Sequence, residues 1–403
     1  MSALEPWIQD GVSGVVADPV ISLVIPAMNE EVTIGEFVDW CHEGLRSCGV
    51  PGEIIIVDSS TDATADIAIS RGARVLHVPK RGLGRAYLDA IPFIRGKWVI
   101  MGDADLTYEF RDLTQFVRAF KEGGEFIMGS RFKGGIESGA MPRLHRYFGT
   151  PATTWLLNRM YGTRFSDIHC GMRGVTLDGL KRMQLNAQGW GYASEMIITA
   201  VHLGLVSTEV PVPFFKDRIG RESHHKRTGW VSPWIAGWLN LKVFFTYGAD
   251  VFLIKPGVAM SLSGGVGVGV LGFGPIVLGG VGLSLHWMLF FMVIALLGLN
   301  FAYAGIFARL LYDLEGEKSI TLRRKFDLDR MVPLAGLLVF AGMVFQWPLV
   351  SFYFSEGFKL PERLGSATHQ FVAGLCLEMS GFIIFTGTLV IQAILARLKR
   401  NLR

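Results

Sequence analysis

Residues 96–109 read GKWVIMGDADLTYE, and their reading decides the fold. The apolar run Trp98–Met101 has the composition of a buried strand, and two carboxylates, Asp103 and Asp105, follow it at once. In an extended chain alternate side chains share a face, so Asp103 and Asp105 are expected to project together. Like charges at that spacing repel and raise each other's pKa unless a cation lies between them. Paired oxygens of this kind suit a hard divalent metal that also holds substrate phosphates. The alternative is a strand end with solvated turn aspartates, and the surrounding chain separates the two.

Outward from this stretch, residues 20 to 130 alternate between two patterns. VISLVIP, EIIIVDS, ARVLHV, KWVIMGD and EFIMGS are short runs rich in Val and Ile, and helix-like segments lie between them at about 31–47, 62–71, 83–94 and 111–122. Such alternation implies an α/β domain with a mainly parallel sheet covered on both faces. Ligands of these sheets bind beyond the carboxyl ends of the strands. That puts Pro26 to Glu30, Asp58 and the Asp103/Asp105 pair along one edge.

The 403 residues are too many for one ordinary domain. From Pro256 to Ala308 there is no Asp, Glu, Lys or Arg, enough for two bilayer-spanning helices, and apolar stretches near Val332–Phe354 and Phe371–Leu395 follow. Four transmembrane helices are expected, at about 252–272, 284–309, 331–354 and 371–396, with an uncharged hairpin around Gly272–Gly280. The first residues show no basic segment followed by an apolar core, so no signal peptide is expected. The expected organisation is an N-terminal extension (1–19), a catalytic domain (20–229), a juxtamembrane interfacial helix (230–251) and the spans (252–403). Trp230, Trp234 and Trp238 share one face of that helix and read as a belt at headgroup depth. Segment 141–165 mixes aromatics with Arg and His at helical spacing, and reads equally as interfacial or as an amphipathic core helix.

Arg309, Lys318, Arg323, Arg324, Lys325 and Arg330 lie between the second and third spans, and the tail ARLKRNLR is basic too. The opposite loop has only Lys359 and Arg363. The positive-inside rule therefore predicts a multi-pass protein of the cell membrane with its N-terminal domain in the cytoplasm. Cys41, Cys48, Cys170 and Cys376 have neither metal-ligand spacing nor a disulfide framework, which agrees with a reducing compartment. A net charge of +4, without basic residues interleaved with aromatics, suits an anionic membrane surface and excludes a nucleic-acid strand groove.

VIPAMNEE (24–31), IIVDSSTDAT (55–64), RGLGRA (81–86), GDADLT (102–107) and GSRF (129–132) occur in the order of family 2 glycosyltransferases of the GT-A fold. SDIHCGMRG (166–174), GWGYASEM (189–196) and VPVPFFKDRIGRES (210–223) narrow the resemblance to polyprenyl-phosphate sugar synthases, the group of dolichyl-phosphate mannose synthase and bacterial polyprenyl-phosphate glucosyltransferases. The resemblance covers roughly residues 20 to 255. It implies a Rossmann-like mixed sheet followed by interfacial and transmembrane helices. It also implies that Pro26, Met28, Glu30, Asp58 and the Asp103–Ala104–Asp105 run hold a nucleotide sugar, with Asp58 on the base. Asp103 and Asp105 match the pair that binds Mg²⁺ or Mn²⁺ against the diphosphate. Arg131 and Arg218 match arginines that neutralise phosphates of donor and acceptor, and Lys226 or Arg227 replaces the lysine usual after Gly-Glu-Ser.

Departures accompany the match. Val57–Ser60 lacks the glycine of the usual Asp-Asp-Gly-Ser turn, and Thr107 stands where a third metal ligand is found in archaeal mannose synthases. The implied activity is inverting transfer of a hexose to polyprenyl phosphate, with UDP-glucose the favoured donor and GDP-mannose the other. A homo-oligomer is compatible with the sequence. Two rivals are a processive polysaccharide synthase, whose Gln-x-x-Arg-Trp motif is missing here, and a membrane transporter or flippase that only senses sugar nucleotide. A transporter should carry paired intramembrane charges, whereas Glu378 stands nearly alone in the fourth span. RGLGRA lacks a phosphate-loop pattern and reads as a loop beside the donor, with Arg81 or Arg85 near phosphate. Asp167 and Glu195 are open between structural and acceptor roles, and His224 and His225 read as part of a basic, lipid-facing loop.

Overall fold

The computed structural model describes residues 5–11, 16–189, 191–218, 248–311, 322, 324–359 and 365–401. The chain divides into two compact units, Met1–Phe244 and Phe245–Arg403.

The first unit is built on eight strands: β1 Trp7–Gln9, β2 Ile21–Ala27, β3 Gly52–Asp58, β4 Arg74–His77, β5 Trp98–Met101, β6 Phe126–Ser130, β7 Arg173–Thr176 and β8 Ser207–Pro211. Their order across the sheet is β1-β4-β3-β2-β5-β7-β6-β8. Pairs β2–β3, β2–β5, β3–β4 and β6–β8 are parallel, while β7 runs antiparallel to both β5 and β6, and β1 antiparallel to β4. Six of the eight strands thus run the same way, so the sheet is mainly parallel as periodicity suggests, and the reversed β1 and β7 make it mixed as the family resemblance implies. The five apolar runs all form strands, because β-branched residues buried on both faces favour a central sheet. The strands β1, β7 and β8 are short and partly polar, so no apolar run announces them.

Among the described residues, eight helices flank the sheet: α1 Ile34–Cys48, α2 Thr64–Ser70, α3 Leu83–Ala90, α4 Thr114–Lys121, the single turn α5 Arg131–Gly134, α6 Thr150–Tyr161, α7 Leu177–Met183 and α8 Tyr192–His202. Helix α1 shows why such segments dock: Ile34, Phe37, Val38, Cys41 and Leu45 lie on one buried stripe, and Gly49 closes the helix in a left-handed cap. It packs against α2 and α4, while α3 packs against α8. Segment 141–165 enters as a wide turn at His145–Gly149 that runs into α6. Leu144, Tyr147, Phe148 and Trp155 are exposed along it, at 54%, 72%, 69% and 67%, while Thr150, Thr154, Leu157 and Met160 form a buried stripe, so the helix is amphipathic with an aromatic outer face.

Among its described residues the second unit holds four helices long and apolar enough to cross a membrane: Asp250–Leu271, Leu285–Leu311, Leu328–Ser355 and Ser366–Arg397. The expected hairpin joins the first two as strands Ile276–Leu278 and Val281–Leu283. Arg309 at the end of the second helix pairs with Asp250 at the start of the first, at 3.5 Å, so those two ends lie together. Glu378 sits at the crossing of the third and fourth helices, its side chain against Gly342. The expected interfacial helix with Trp230, Trp234 and Trp238 lies outside the described residues.

Candidate active site

The carboxyl ends of β2, β3, β5 and β6 and the start of β7 meet at one edge of the sheet, and most of the sequence-predicted residues come together there. Two loops open this edge, and side chains stitch them together. Asn29, in the left-handed region at φ 57°, donates its amide to Ser60 Oγ at 2.7 Å and accepts the Thr61 amide on Oδ1 at 2.9 Å. The Glu30 amide donates to Thr64 Oγ1 at 2.9 Å, and Thr64 is in turn held by Asp62. Pro26 and Met28 are half-buried at the end of β2, and Glu30 is buried.

Asp58 ends β3 almost fully buried; its Oδ1 accepts the Ser60 amide at 3.3 Å, and burial raises its carboxyl above the ordinary range. Ser59 and Ser60 are absent from the positive-φ positions among the described residues. The turn therefore does not need the glycine that the family pattern carries, and Ser60 instead closes the Asn29 contact.

The acidic pair departs from an extended strand. β5 stops at Met101, and Leu106 turns into the left-handed region at φ 61°. The cause is local: Asp105 Oδ1 accepts both the amide of Thr107, at 3.0 Å, and its hydroxyl, at 2.5 Å. Even so, burial alternates as expected, with Asp103 and Asp105 partly open and Ala104 and Leu106 buried. Thr107 thus holds Asp105 through both its amide and its hydroxyl. Gly171 passes so close that a side chain there would come within 2.5 Å of Asp103 Oδ2. The Gly171 amide donates to Tyr108 Oη at 2.8 Å, and Tyr87 Oη donates to the Gly102 carbonyl at 3.1 Å. Burial pushes both phenols well above their usual range.

Arg131 follows β6 and is 8% exposed, its Nε and Nη2 committed to the fully buried Asp167 at 2.6 and 2.9 Å. Burial alone would raise the Asp167 carboxyl, but the bonds and charge of Arg131 outweigh it and hold the group low. The Arg131 guanidinium lies over the Phe214 ring, 5.2 Å from its centre. His169, two residues on, meets Thr153 Oγ1 of α6 through Nε2 at 2.8 Å, and burial lowers its pKa to about 4, helped by the neighbouring Arg131 charge. Arg173, at the start of β7, donates to the carbonyls of Cys170 and Ile168, at 2.8 and 3.1 Å, and to that of Ala193.

Other candidate residues have partners within the fold. Glu195 is buried and accepts the Asn186 and Ala187 amides, the latter at 2.8 Å, so it anchors a loop. That loop explains RGLGRA: a side chain at Gly84 would meet the Ala187 carbonyl at 2.1 Å. Arg81 and Arg85 converge on Asp89, at 2.7 and 2.8 Å. Arg218 is exposed and pairs with Glu36 in the first turn of α1. Lys226, Arg227, His224 and His225 lie outside the described residues.

The donors at Asp103 and Asp105 are oxygens only, and among the described residues no group of three or more His, Cys, Asp or Glu side chains could hold a metal by itself. This donor set fits a Mg²⁺- or Mn²⁺-type ion completed by substrate phosphates and water, which such ions usually keep. It does not fit a preformed cage.

The model of the Glycosyl transferase family 2 matches residues 22–183. A low-salt glycan biosynthesis hexosyltransferase of Haloferax volcanii is 30% identical over 376 residues, covering 91% of this chain and 88% of the relative. A dolichyl-phosphate hexose transferase of the same organism is 30% identical over 203 residues, 50% of this chain and 84% of that one. Among solved structures, a glucosyl-3-phosphoglycerate synthase from Mycobacterium tuberculosis superposes with a TM-score of 0.43 at 22% identity, over 57% of this chain and 80% of the other. The first relative's match is too long to be confined to the sheet; it runs into the apolar helices as well, and the chain belongs to glycosyl transferase family 2 and is a glycosyltransferase.

Proposed function

We propose that this enzyme transfers a hexose, glucose in the first instance, from a nucleoside diphosphate to polyprenyl phosphate at the cytoplasmic face of a membrane. The observation that carries the reading is the acidic turn Asp103–Asp105 at the same sheet edge as Asp58 and Arg131, in a chain that continues into four apolar helices. The similarity to a dolichyl-phosphate hexose transferase supports a lipid phosphate as acceptor. The basic loop between the second and third apolar helices supports the orientation.

In this reading Asp58 accepts the base N–H, while Pro26, Met28, Glu30 and Ala104 form the walls around the nucleotide. Bound at Asp103 and Asp105, Mg²⁺ or Mn²⁺ supplies charge neutralisation to the leaving diphosphate. The acceptor phosphate, with a second pKa of about 6, is largely dianionic at neutral pH and needs no base. One of its oxygens bonds to the anomeric carbon as the bond to the diphosphate oxygen breaks, the electron pair leaving with the nucleotide. One displacement inverts the centre. Arg131 and Arg218, with Lys226 and Arg227, supply cations to the phosphates, and Asp167 fixes the plane of Arg131. Catalysis then rests on positioning and electrostatics.

The exposed aromatics of segment 144–155, with Arg143 and Arg146 beside them, suit a headgroup layer that meets the acceptor. The test is turnover by the purified full chain with polyprenyl phosphate and a panel of UDP- and GDP-hexoses. Label from one donor should move into the organic phase; none moving from any donor overturns the reading.

A further inference from the structure

The short strand β1 adds to the sheet beside β4, in register Trp7↔His77. Trp7 lies flat on the His77 imidazole, ring centres 4.1 Å apart and planes within 20°. In the next pair His77 is in register with Asp58. Its Nδ1 stands 4.0 Å from Asp58 Oδ2, just beyond hydrogen-bond reach, while Oδ1 takes the Ser60 amide. Nε2 of His77 is buried and has no hydrogen-bond partner among the described residues.

We propose that His77, clamped under Trp7, is a positioning residue that turns Asp58 toward the base of the donor, making β1 a selectivity element. This rests on the role of Asp58 proposed above. A carboxylate facing Nδ1 selects the tautomer with the proton on Nδ1, which can then donate to Oδ2 after a movement of about 1 Å. Asp58 is thereby gripped from both oxygens, by Ser60 on one side and His77 on the other. A carboxylate has about four lone-pair positions, so those facing the ligand stay available for a base that presents an imino N–H. Uracil and guanine both do; cytosine does not. A carboxylate free to rotate could turn to another donor and escape the cost of being left unsatisfied, and so would discriminate less. The stack matters for the same reason: an imidazole free to tip would not hold the grip.

The test is equilibrium titration of the full-length protein with UDP and GDP, and with both nucleotides methylated on the imino nitrogen. His77→Phe keeps a ring under Trp7 and removes the donor. It should weaken the preferred nucleotide about tenfold, the scale of one hydrogen bond to a charge. The methylated form should bind both proteins equally. His77→Asn, whose amide nitrogen falls near the place of Nδ1, should restore part of the loss, and Trp7→Ala should lose part of it. Combined with Asp58→Asn, His77→Phe should add nothing further. Wild-type affinity in His77→Phe, or independent losses in the double variant, overturns the positioning role while leaving Asp58 on the base. Wild-type affinity in Asp58→Asn overturns the base reading itself.

Discussion

Arg131 meets Asp167 through two parallel bonds, Nε to Oδ2 at 2.6 Å and Nη2 to Oδ1 at 2.9 Å, and its backbone amide adds a third to Oδ2 at 3.1 Å. A buried pair of this kind costs little as a pair and much when broken, because one charge is left stranded. Asp167→Ala should therefore destabilise the sheet domain by about 3–5 kcal/mol. Asp167→Leu combined with Arg131→Met should recover most of that stability and none of the activity. Thermal unfolding followed beside turnover checks both halves.

His169 gives the domain a pH dependence whose sign follows from its depressed pKa. Unfolded, its imidazole takes a proton near 6.5; folded, burial and Arg131 hold the value to about 4. Between those values the unfolded state binds more protons, so stability is complete above about 6.5 and falls as pH drops toward 4. The full span is worth up to about 3 kcal/mol. His169→Gln, which keeps a partner for Thr153, should flatten the melting temperature across that window; an unchanged slope would assign the loss to other groups.

Thr107 and Asp105 separate orientation from ligation. Thr107→Val removes the hydroxyl bond to Asp105 and keeps the amide one, so the metal concentration needed for half activity should rise several-fold, about 1 kcal/mol. Asp105→Asn should cut turnover by about two orders of magnitude or more at any metal concentration. Full activity in excess EDTA would contradict the metal altogether.

Arg218 pairs with Glu36 on the surface, a contact worth about 1 kcal/mol at most. If Arg218 serves the acceptor phosphate, Arg218→Ala should raise the lipid KM or cut kcat, with the donor KM changing less. Glu36→Gln should leave both near wild type. Equal effects from the two substitutions would reduce Arg218 to a surface pair.

What the sequence made legible follows from where the information is local. Five apolar runs and the acidic pair could be read because strand burial leaves a continuous β-branched signal. The mixed character of the sheet could not, since β7 is a four-residue strand, Arg173–Thr176, whose partners lie far away in the chain. At the site, Asp58, Asp103 and Asp105 were found by position after a strand. The jobs of Thr107, Glu195 and Asp89 were not, because each depends on a backbone amide or an arginine brought in by folding. Trp7 lies within the expected N-terminal extension, where three residues of strand are too short to carry a period. The Asn in AMNEE was the missed local cue, since Asn after a strand is a residue that accepts positive φ.

One measurement reaches the central claim most directly. Purified full-length protein is given an α-linked nucleotide hexose labelled in the sugar and polyprenyl phosphate labelled in phosphorus, with Mg²⁺ present. The expected product carries one sugar per lipid phosphate in the β configuration, with one nucleoside diphosphate released for each and none formed by Asp105→Asn. A longer saccharide on the lipid, an α-linked product, or sugar released without the lipid label would contradict a single direct displacement by the lipid phosphate.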